Sequence, residues 1–194
     1  MSPKRIDIIG NGDSNNLYVP NAHYTIACNI PQHTIKYNAL SIIDNRPLDF
    51  MKERGWKPRV PVFCTPEVQT RSRKFNLEGD WFAVYERKHR WNAGHHAVLH
   101  HNTMAQQIHL WGFDSLFSQD LTSQTDAIIP RHHRPPLNNH WHPIWREILD
   151  QCYCTVVLHL PQGAKCAIEH EKLRTESHRT EDLAISTEHT QQTA

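Results

Sequence analysis

The residues near the start of the chain that are best suited to chemistry form a glycine-containing turn, Gly10 to Asn16 (GNGDSNN). The turn follows a short β-branched run, Ile6 to Ile9, which is typical of a strand buried in a parallel sheet. Glycine permits positive φ angles and lets a ligand approach the main chain. The turn lacks the third glycine of a dinucleotide fingerprint and the Gly-Lys-Ser/Thr of a P-loop. It therefore suits either a phosphate-binding turn or a tight turn without a ligand.

A second candidate for anion binding is the sequence RWNAG, Arg90 to Gly94, in which Asn92 opens a predicted helix. A helix N-terminus presents unpaired amide groups and a positive dipole to a phosphate. Amide side chains such as Asn11 and Asn29 can donate and accept hydrogen bonds without adding repulsive charge. Because ligands collect at the carboxyl ends of parallel strands, we expect the two amide clusters to converge at one edge of the sheet and to share one anion.

A pair of histidines, His132 and His133, lies on a long segment between Leu116 and His140. Such a long connection inside a domain is typical of a functional lid or a partner surface. Histidine exchanges a proton near neutral pH, so either residue could deprotonate an acceptor hydroxyl. The alternative is an exposed patch that attracts anions with the flanking Arg131 and Arg134.

Two patterns raise the question of a metal ion. His96 and His100 are four residues apart on the predicted helix, but the sequence supplies no third ligand, so packing or surface histidines are favoured and no metal site is predicted. Asp44, Asp114 and Asp126 suit Mg²⁺ on a diphosphate, since Mg²⁺ takes carboxylates together with substrate oxygens. Aspartates after strands are also common turn residues.

Length and composition indicate one domain without a membrane span. The chain has 194 residues, a mean hydropathy of -0.66 and no apolar run near the ~20 residues that a bilayer requires. The first strand follows the N-terminus so closely that no signal peptide is expected. Five cysteines without metal-site spacing indicate reduced thiols, and we therefore expect a cytoplasmic protein.

Charge is unevenly distributed along the chain. The net charge is +1, yet residues 46–90 carry 11 Lys/Arg against 6 Asp/Glu. A locally basic segment suits a phosphate-bearing ligand, and it equally suits a solvated surface. Nothing in the pattern points to nucleic acid.

The hydrophobic pattern predicts an α/β fold, a Rossmann-like three-layer arrangement with a mostly parallel sheet and a long loop after the penultimate strand. The predicted strands are Ile6–Ile9, Tyr24–Cys28, Ala39–Ile43, Val60–Cys64, a short one within Asp80–Tyr85, Gln107–Trp111 and, last, Cys154–Leu160. The predicted helices are Pro47–Arg54, Ala93–Ala105 and Trp141–Cys152. We expect only a short turn after Thr65, mostly exposed chain over 71–90, one domain over 1–168 and a polar tail without a fixed fold over 169–194.

Four motifs in this order resemble a known family. They are GNGDS after the first strand, Cys28-Asn29 after the second, RWNAG at a helix start, and Gly112-Phe113-Asp114-Ser115 after a later strand. Together they resemble the Rossmann-like small bacterial sialyltransferases and the related hydroxymethylpterin diphosphokinase-like (MptE-like) proteins. Phage-encoded members of this group are labelled morphogenesis proteins. The resemblance covers roughly residues 5 to 160.

The resemblance implies a nucleotide site and assigns residues to it. The donor would be a nucleotide-sugar, CMP- or UDP-linked, with Mg²⁺ not required, and a histidine of the pair or Asp114 would activate the acceptor. Departures from the family pattern are Asp13 in place of proline and Ala93 in place of serine. The implied binding residues are Gly10, Asn11, Gly12, Ser14, Asn29, Arg90, Asn92, Ala93, Gly94 and Gly112.

Three functions follow as expectations. The first is a nucleotide-sugar-dependent glycosyltransferase. The second is a non-catalytic phage virion or assembly protein that keeps the fold, with phage structural proteins or a second copy of itself as partner, in the host cytoplasm or the virion. The third is an Mg²⁺-dependent pyrophosphokinase-like transferase, for which the three aspartates would be essential.

Overall fold

The computed structural model describes residues 4–31, 35–119 and 140–179 of the chain. Within these residues, strands and helices alternate along most of the sequence. The strands are β1 (Arg5–Ile9), β2 (Tyr24–Cys28), β3 (Ala39–Ile42), β4 (Val62–Cys64), β5 (Trp81–Ala83), β6 (Gln107–Trp111), β7 (Thr155–Pro161) and β8 (Leu173–His178). The helices are α1 (Arg46–Arg54), α2 (Pro66–Lys74), α3 (Ala93–His101) and α4 (His142–Gln151), with short 3-10 helices at Asp13–Leu17 and Asp114–Leu116.

The eight described strands form one sheet in which every neighbouring pair is parallel, in the order β5-β4-β3-β2-β1-β6-β7-β8. β1 lies in the interior, where Ile8 is opposite Ile26 of β2 on one side and Leu110 of β6 on the other. Strands β1 to β5 follow one another in order toward one edge of the sheet, and β6 then lies on the other side of β1. The carboxyl ends of β1 and β6 therefore form the topological switch point, where ligands bind in open parallel sheets.

Helices cover both faces of this sheet, which confirms the predicted α/β, Rossmann-like three-layer fold. α3 and α4 pack on the face that carries Ile8 and Leu110, whereas α1 and α2 pack on the opposite face against Leu40 and Val62. The strands that contact helices on a face are apolar runs, because both faces of a parallel sheet are buried. None of the described helices is long and apolar enough to cross a membrane.

The prediction of only a short turn after Thr65 is wrong, because α2 runs from Pro66 to Lys74. The Thr65 hydroxyl accepts a hydrogen bond from the Val68 amide at 3.5 Å, and Pro66 supplies the preset φ of a first helical residue. The helix buries only Val68 and Ser72. An apolar stripe of that size gives a weak periodic signal.

The prediction of a tail without a fixed fold is wrong for β8, which pairs in parallel with β7 over its whole length. Its sequence, LRTESH, is largely exposed, so backbone pairing rather than apolar burial holds it. β7 is consequently not the last strand, and the long segment follows β6, with two further strands after it. Residues 180–194 lie outside the described residues.

Smaller differences concern the ends of elements. α3 ends at His101 instead of Ala105, and Met104, beyond the end of the helix, is 42% exposed. β4 begins at Val62, directly after Pro61, because proline has no amide hydrogen for the ladder.

Candidate functional site

The turns after β1 and β6 are hydrogen-bonded to each other at the switch point; we call residues 10–15 and 111–114 the glycine clasp. The Gly10 amide donates to the Trp111 carbonyl at 2.7 Å, and the Gly12 amide donates to the Gly112 carbonyl at 2.9 Å. The Asn15 side chain donates to the Gly10 carbonyl at 3.3 Å. The clasp therefore brings together the predicted residues Gly10, Gly12 and Gly112 through main-chain contacts.

The glycines of the clasp are required by this close approach of two backbones. A Cβ on Gly12 would lie 2.5 Å from the Asp114 carboxylate and 2.8 Å from the Gly112 carbonyl. A Cβ on Gly10 would collide with the same carbonyl of Gly112. Gly112 has a φ of +71°, and its Cβ would lie 2.6 Å from that of Asn15. Tight packing between the turns is thus a sufficient physical reason for these glycines.

Asp114 closes the clasp with its carboxylate. Its oxygens accept from the Ser14 amide at 3.2 Å, from the Ser14 hydroxyl and from the Asp13 amide. Burial raises the pKa of Asp114, and the hydrogen bonds from Ser14 partly oppose the rise. An internal carboxylate thus occupies amides that would otherwise hold a phosphate, so Asp114 is suited to holding the turn rather than to acting as a base.

The start of α3 caps itself. The Asn92 side chain accepts from the His95 amide at 3.0 Å, and the His95 ring accepts from the Asn92 amide at 3.0 Å. This is a capping box in which histidine replaces the usual glutamate. The amides of Ala93 and Gly94 remain as the first-turn donors without an intrahelical acceptor.

Ser41, in β3, connects the start of α3 to the end of β2. Its hydroxyl donates to the Ala93 carbonyl at 2.9 Å and accepts from the Tyr85 hydroxyl at 3.0 Å. Its own carbonyl accepts from the Asn29 amide at 2.9 Å. Asn29 and Ala93, two predicted site residues, are therefore both hydrogen-bonded to one buried serine.

The expectation that the glycine turn and the start of α3 share one anion is wrong, because the Phe113 ring lies between them. A Cβ on Gly94 would lie 2.8 Å from the tip of this ring, and one on Gly10 would lie 3.3 Å from its edge. Phe113 is itself buried, 6% exposed, and packs on Trp145 of α4. The candidate site therefore moves away from the clasp, toward Asn29 and α3.

Asn29 has two features of a ligand-binding residue. Its backbone is in the left-handed region with a φ of +57°, which is uncommon for a residue other than glycine. Its side-chain oxygen is buried, and no hydrogen-bond partner for it occurs among the described residues. Buried polar atoms are nearly always paired, and strained backbone clusters at functional sites. Asn29 thus holds an unpaired acceptor oxygen that is enclosed by the protein and would pair with a donor group of a ligand that enters the site.

No protein-family model, curated protein sequence or solved structure matches this chain. The family resemblance of the four motifs accordingly stays a prediction, and the functional case depends on the geometry of the site.

Positive charge lies beside the start of α3. Arg90 is exposed and has a φ of +69°, and its side chain donates to the neighbouring His89 at 3.1 Å. The Lys88 ammonium lies 4.4 Å from the centre of the Trp91 ring. Lys88 is also 4.0 Å from the Glu147 carboxylate. Arg90 and the helix dipole therefore supply the positive potential beside the start of α3.

The remaining residues singled out in the sequence lie in different parts of the chain. Asn11 is half-buried at the tip of the clasp, and His132, His133 and Asp126 lie outside the described residues. Ser115 is buried, and its carbonyl binds the His142 ring at 2.7 Å. Asp44 accepts from the Arg46 amide at 3.1 Å, and it belongs with Asp114 to no group of metal-ligand spacing among the described residues.

The histidines of α3 are packing residues. His96 stacks on Tyr85 with ring centres 5.2 Å apart, and His100 lies 5.7 Å from the Phe63 ring. Burial lowers the pKa of His96 to about 4, with a smaller contribution from Lys88. Neither residue belongs to a metal-ligand group among the residues that the structure describes.

Sequence reasoning missed Ser41 and a cluster of histidines on β6, β7 and β8. The available signal was a polar residue at a buried position of an apolar strand: Ser41 in ALSI, His109 in QIHLW and His159 in TVVLHLP. Such residues usually need a hydrogen-bond partner or a ligand, because burying a polar group alone is costly. The partner comes from another strand and is invisible in the local pattern.

Replacing Asn29 by glycine is expected to raise the free energy of unfolding, measured in urea. The change removes a buried unpaired oxygen that costs about 1–3 kcal/mol, against roughly 0.5–1 kcal/mol for the added backbone entropy of glycine. Asn76→Gly is the matched control, because Asn76 is exposed and has a φ of +52°. A loss of stability in Asn29→Gly relative to Asn76→Gly would contradict the assignment of an unpaired oxygen.

Proposed function

We propose that this chain binds a nucleotide-sugar at the carboxyl edge of the sheet, between Asn29 and the first turn of α3, and acts as a glycosyltransferase-like protein. The observation that carries the proposal is the buried, unpaired side-chain oxygen of Asn29, on strained backbone beside the switch point. Buried polar atoms without a partner are rare in folded proteins, and pairing with a bound ligand is one reason for retaining such an atom.

The two sides of this site suit the two ends of a nucleotide. The Asn29 oxygen can accept a hydrogen bond, and a ribose hydroxyl or an amino group of a base would donate one. The amides of Ala93 and Gly94, with Arg90 nearby, suit the negatively charged phosphate end. This arrangement needs no phosphate on the clasp, where the amides of Gly10, Gly12 and Ser14 already have acceptors.

The chemistry proposed is transfer of the sugar to an acceptor hydroxyl. A base takes the hydroxyl proton, the acceptor oxygen bonds to the sugar carbon, and the bond from that carbon to the phosphate oxygen breaks, so the nucleotide leaves with the electron pair. His132 or His133 is the proposed base, because the oxygens of Asp114 are occupied within the clasp. The reaction as proposed does not require Mg²⁺.

A second candidate is a non-catalytic assembly protein that keeps the fold, as the resemblance to phage morphogenesis proteins implies. The observation that favours it is that the amides of Gly10, Gly12 and Ser14 donate to acceptors within the clasp itself. In a phosphate-binding turn those amides would face the ligand.

A thermal-shift screen against CMP, UDP, GDP, ADP and ATP, each with and without Mg²⁺, tests the proposal. At ~100 times the dissociation constant, a ligand adds about 2.7 kcal/mol of stability. For a chain of this size the midpoint of unfolding would rise by about 5–10 °C. We expect CMP or UDP to give that shift without Mg²⁺.

The other outcomes separate the alternatives. A shift that requires Mg²⁺ would favour the pyrophosphokinase-like function, and Asp44→Asn should then abolish it. No shift with any nucleotide would favour the assembly protein. A His132→Gln/His133→Gln double variant should retain the shift, because the proposed base acts on the acceptor and does not hold the nucleotide.

A further inference from the structure

Three neighbouring strands place imidazole and carboxylate groups on one face of the sheet. His109 of β6 and His159 of β7 are buried, at 5% and 2% exposure, whereas the Glu176 side chain of β8 is 55% exposed. The register puts His159 directly opposite Glu176. One ligand atom from each of the three residues lies within 4.8 Å of the other two. We call this group the imidazole cluster.

The imidazole cluster is connected by short contacts. His109 Nδ1 lies 2.8 Å from His159 Nε2, and His159 Nδ1 lies 2.7 Å from His178 Nε2. The carboxylate of Glu176 lies 3.6 Å from His159 Nδ1. Two ring nitrogens at 2.8 Å share one proton in a hydrogen bond, and a cation between them would take the place of that proton. β8, which carries Glu176 and His178, is an edge strand of the sheet.

The neighbours of His109 and His159 favour the tautomer of His109 that can bind a metal ion and fix the position of the His159 ring. The Gln107 side-chain oxygen lies 3.2 Å from His109 Nε2, which fixes the proton there and leaves the Nδ1 lone pair facing His159. Such a hydrogen bond to the far nitrogen orients ligating histidines in metal sites. Trp111 stacks on His159 with ring centres 3.4 Å apart and holds that ring in place.

We propose that the imidazole cluster is a zinc site, with His109, His159 and Glu176 as ligands and His178 orienting the His159 ring. Two histidines and one glutamate are an established ligand set for Zn²⁺, whose bonds of about 2.0–2.2 Å bring ligand atoms to roughly 3.3 Å from one another. The ion ties the edge strand β8 to β7 and β6. The site does not depend on the nucleotide proposal.

Calorimetric titration of the full-length, tag-free protein with Zn²⁺ tests the site. We expect one tight site in the wild type, weakened at least tenfold in Glu176→Gln and in His109→Gln, since even orienting residues contribute about 10–100-fold to affinity. Glu171→Gln is the matched control, because Glu171 is an exposed glutamate near the start of β8 and outside the cluster. Weak binding by the other histidines of the chain should be equal in all variants.

Thermal unfolding gives a second readout that a merely structural hydrogen-bond network would not produce. Zn²⁺ should raise the unfolding midpoint of the wild type and of Glu171→Gln, and leave that of Glu176→Gln unchanged. Glu176 is largely exposed, so its replacement by glutamine should leave the fold intact, as circular dichroism would verify. Equal Zn²⁺ affinity in the wild type and both cluster variants, or no tight binding by the wild type, would overturn the proposal.

Discussion

Replacing Gly112 by alanine is expected to lower the free energy of unfolding by about 3 kcal/mol or more, since overpacking and backbone strain each contribute roughly 1–3 kcal/mol. The added Cβ would lie 2.6 Å from the Asn15 Cβ and 2.8 Å from the Gly10 carbonyl. The second contact is with backbone and cannot relax by side-chain rotation. For a chain of this size the unfolding midpoint would fall by about 6–12 °C.

Gly163→Ala is the matched control for this experiment. Gly163 also has a positive φ, +85°, but no described atom lies within 4 Å of a Cβ built there. It should cost only about 1–2 kcal/mol, the penalty of left-handed backbone for an L-residue. If the two variants lost the same stability, the close approach of the two turns would not be what requires glycine at 112.

Acidification from pH 7 to 5.5 is expected to destabilise the protein steeply, because three buried histidines of α3 are neutral in the folded state. Burial lowers the pKa of His95 well below its ordinary value and lowers those of His96 and His101 to about 4. Below pH 6.5 the unfolded chain takes up protons that the folded chain does not, so stability falls with pH. Each histidine contributes about 1.4 kcal/mol per pH unit, or roughly 4 kcal/mol for the three together.

The charged neighbours of these rings support this direction. Lys88 faces His96, while His100 and His140 lie near His101 and His95 and disfavour a further positive charge. Burial raises the pKa of Asp114, so acidification stabilises the folded state through this carboxyl group. Asp114 is one group, whereas three histidines of α3 have the opposite effect.

Urea unfolding at a series of pH values measures this dependence. The His101→Gln variant should lose up to about 1.4 kcal/mol per pH unit from the slope of stability against pH, whereas His89→Gln should keep the slope, because His89 is exposed to water in the folded chain. A stability that stays flat between pH 7 and 5.5 would contradict the neutral, buried state of these histidines.

The sheet was largely predictable from sequence, and the reason is burial. β2 and β6 match their predicted bounds, and β1 starts one residue early, because a strand buried on both faces is an uninterrupted apolar run. α2 and β8 were missed because they bury few apolar side chains and depend on a cap or on backbone pairing. The hydrophobic pattern of a short sequence segment indicates which side chains are buried, but it does not indicate hydrogen bonds to another strand.

The candidate site was predictable only in part. The sequence located Asn29 and Asn92 after a strand and before a helix, where parallel sheets place their ligand contacts. It could not show that Phe113 separates the clasp from α3, since that packing joins residues distant along the chain. His109 and His159 escaped notice for the same reason, being 50 residues apart and adjacent only through β-strand pairing.

Isothermal titration of the nucleotide selected by the thermal-shift screen into the wild type, Asn29→Gly and Asn76→Gly tests the central claim most directly. Asn29→Gly is the decisive variant, because it should fold at least as well as the wild type while losing the acceptor oxygen. The account predicts equal affinity for the wild type and Asn76→Gly, and an affinity at least about tenfold weaker for Asn29→Gly, as expected when a hydrogen bond worth about 1.4 kcal/mol is lost. Equal affinities for all three proteins would contradict it.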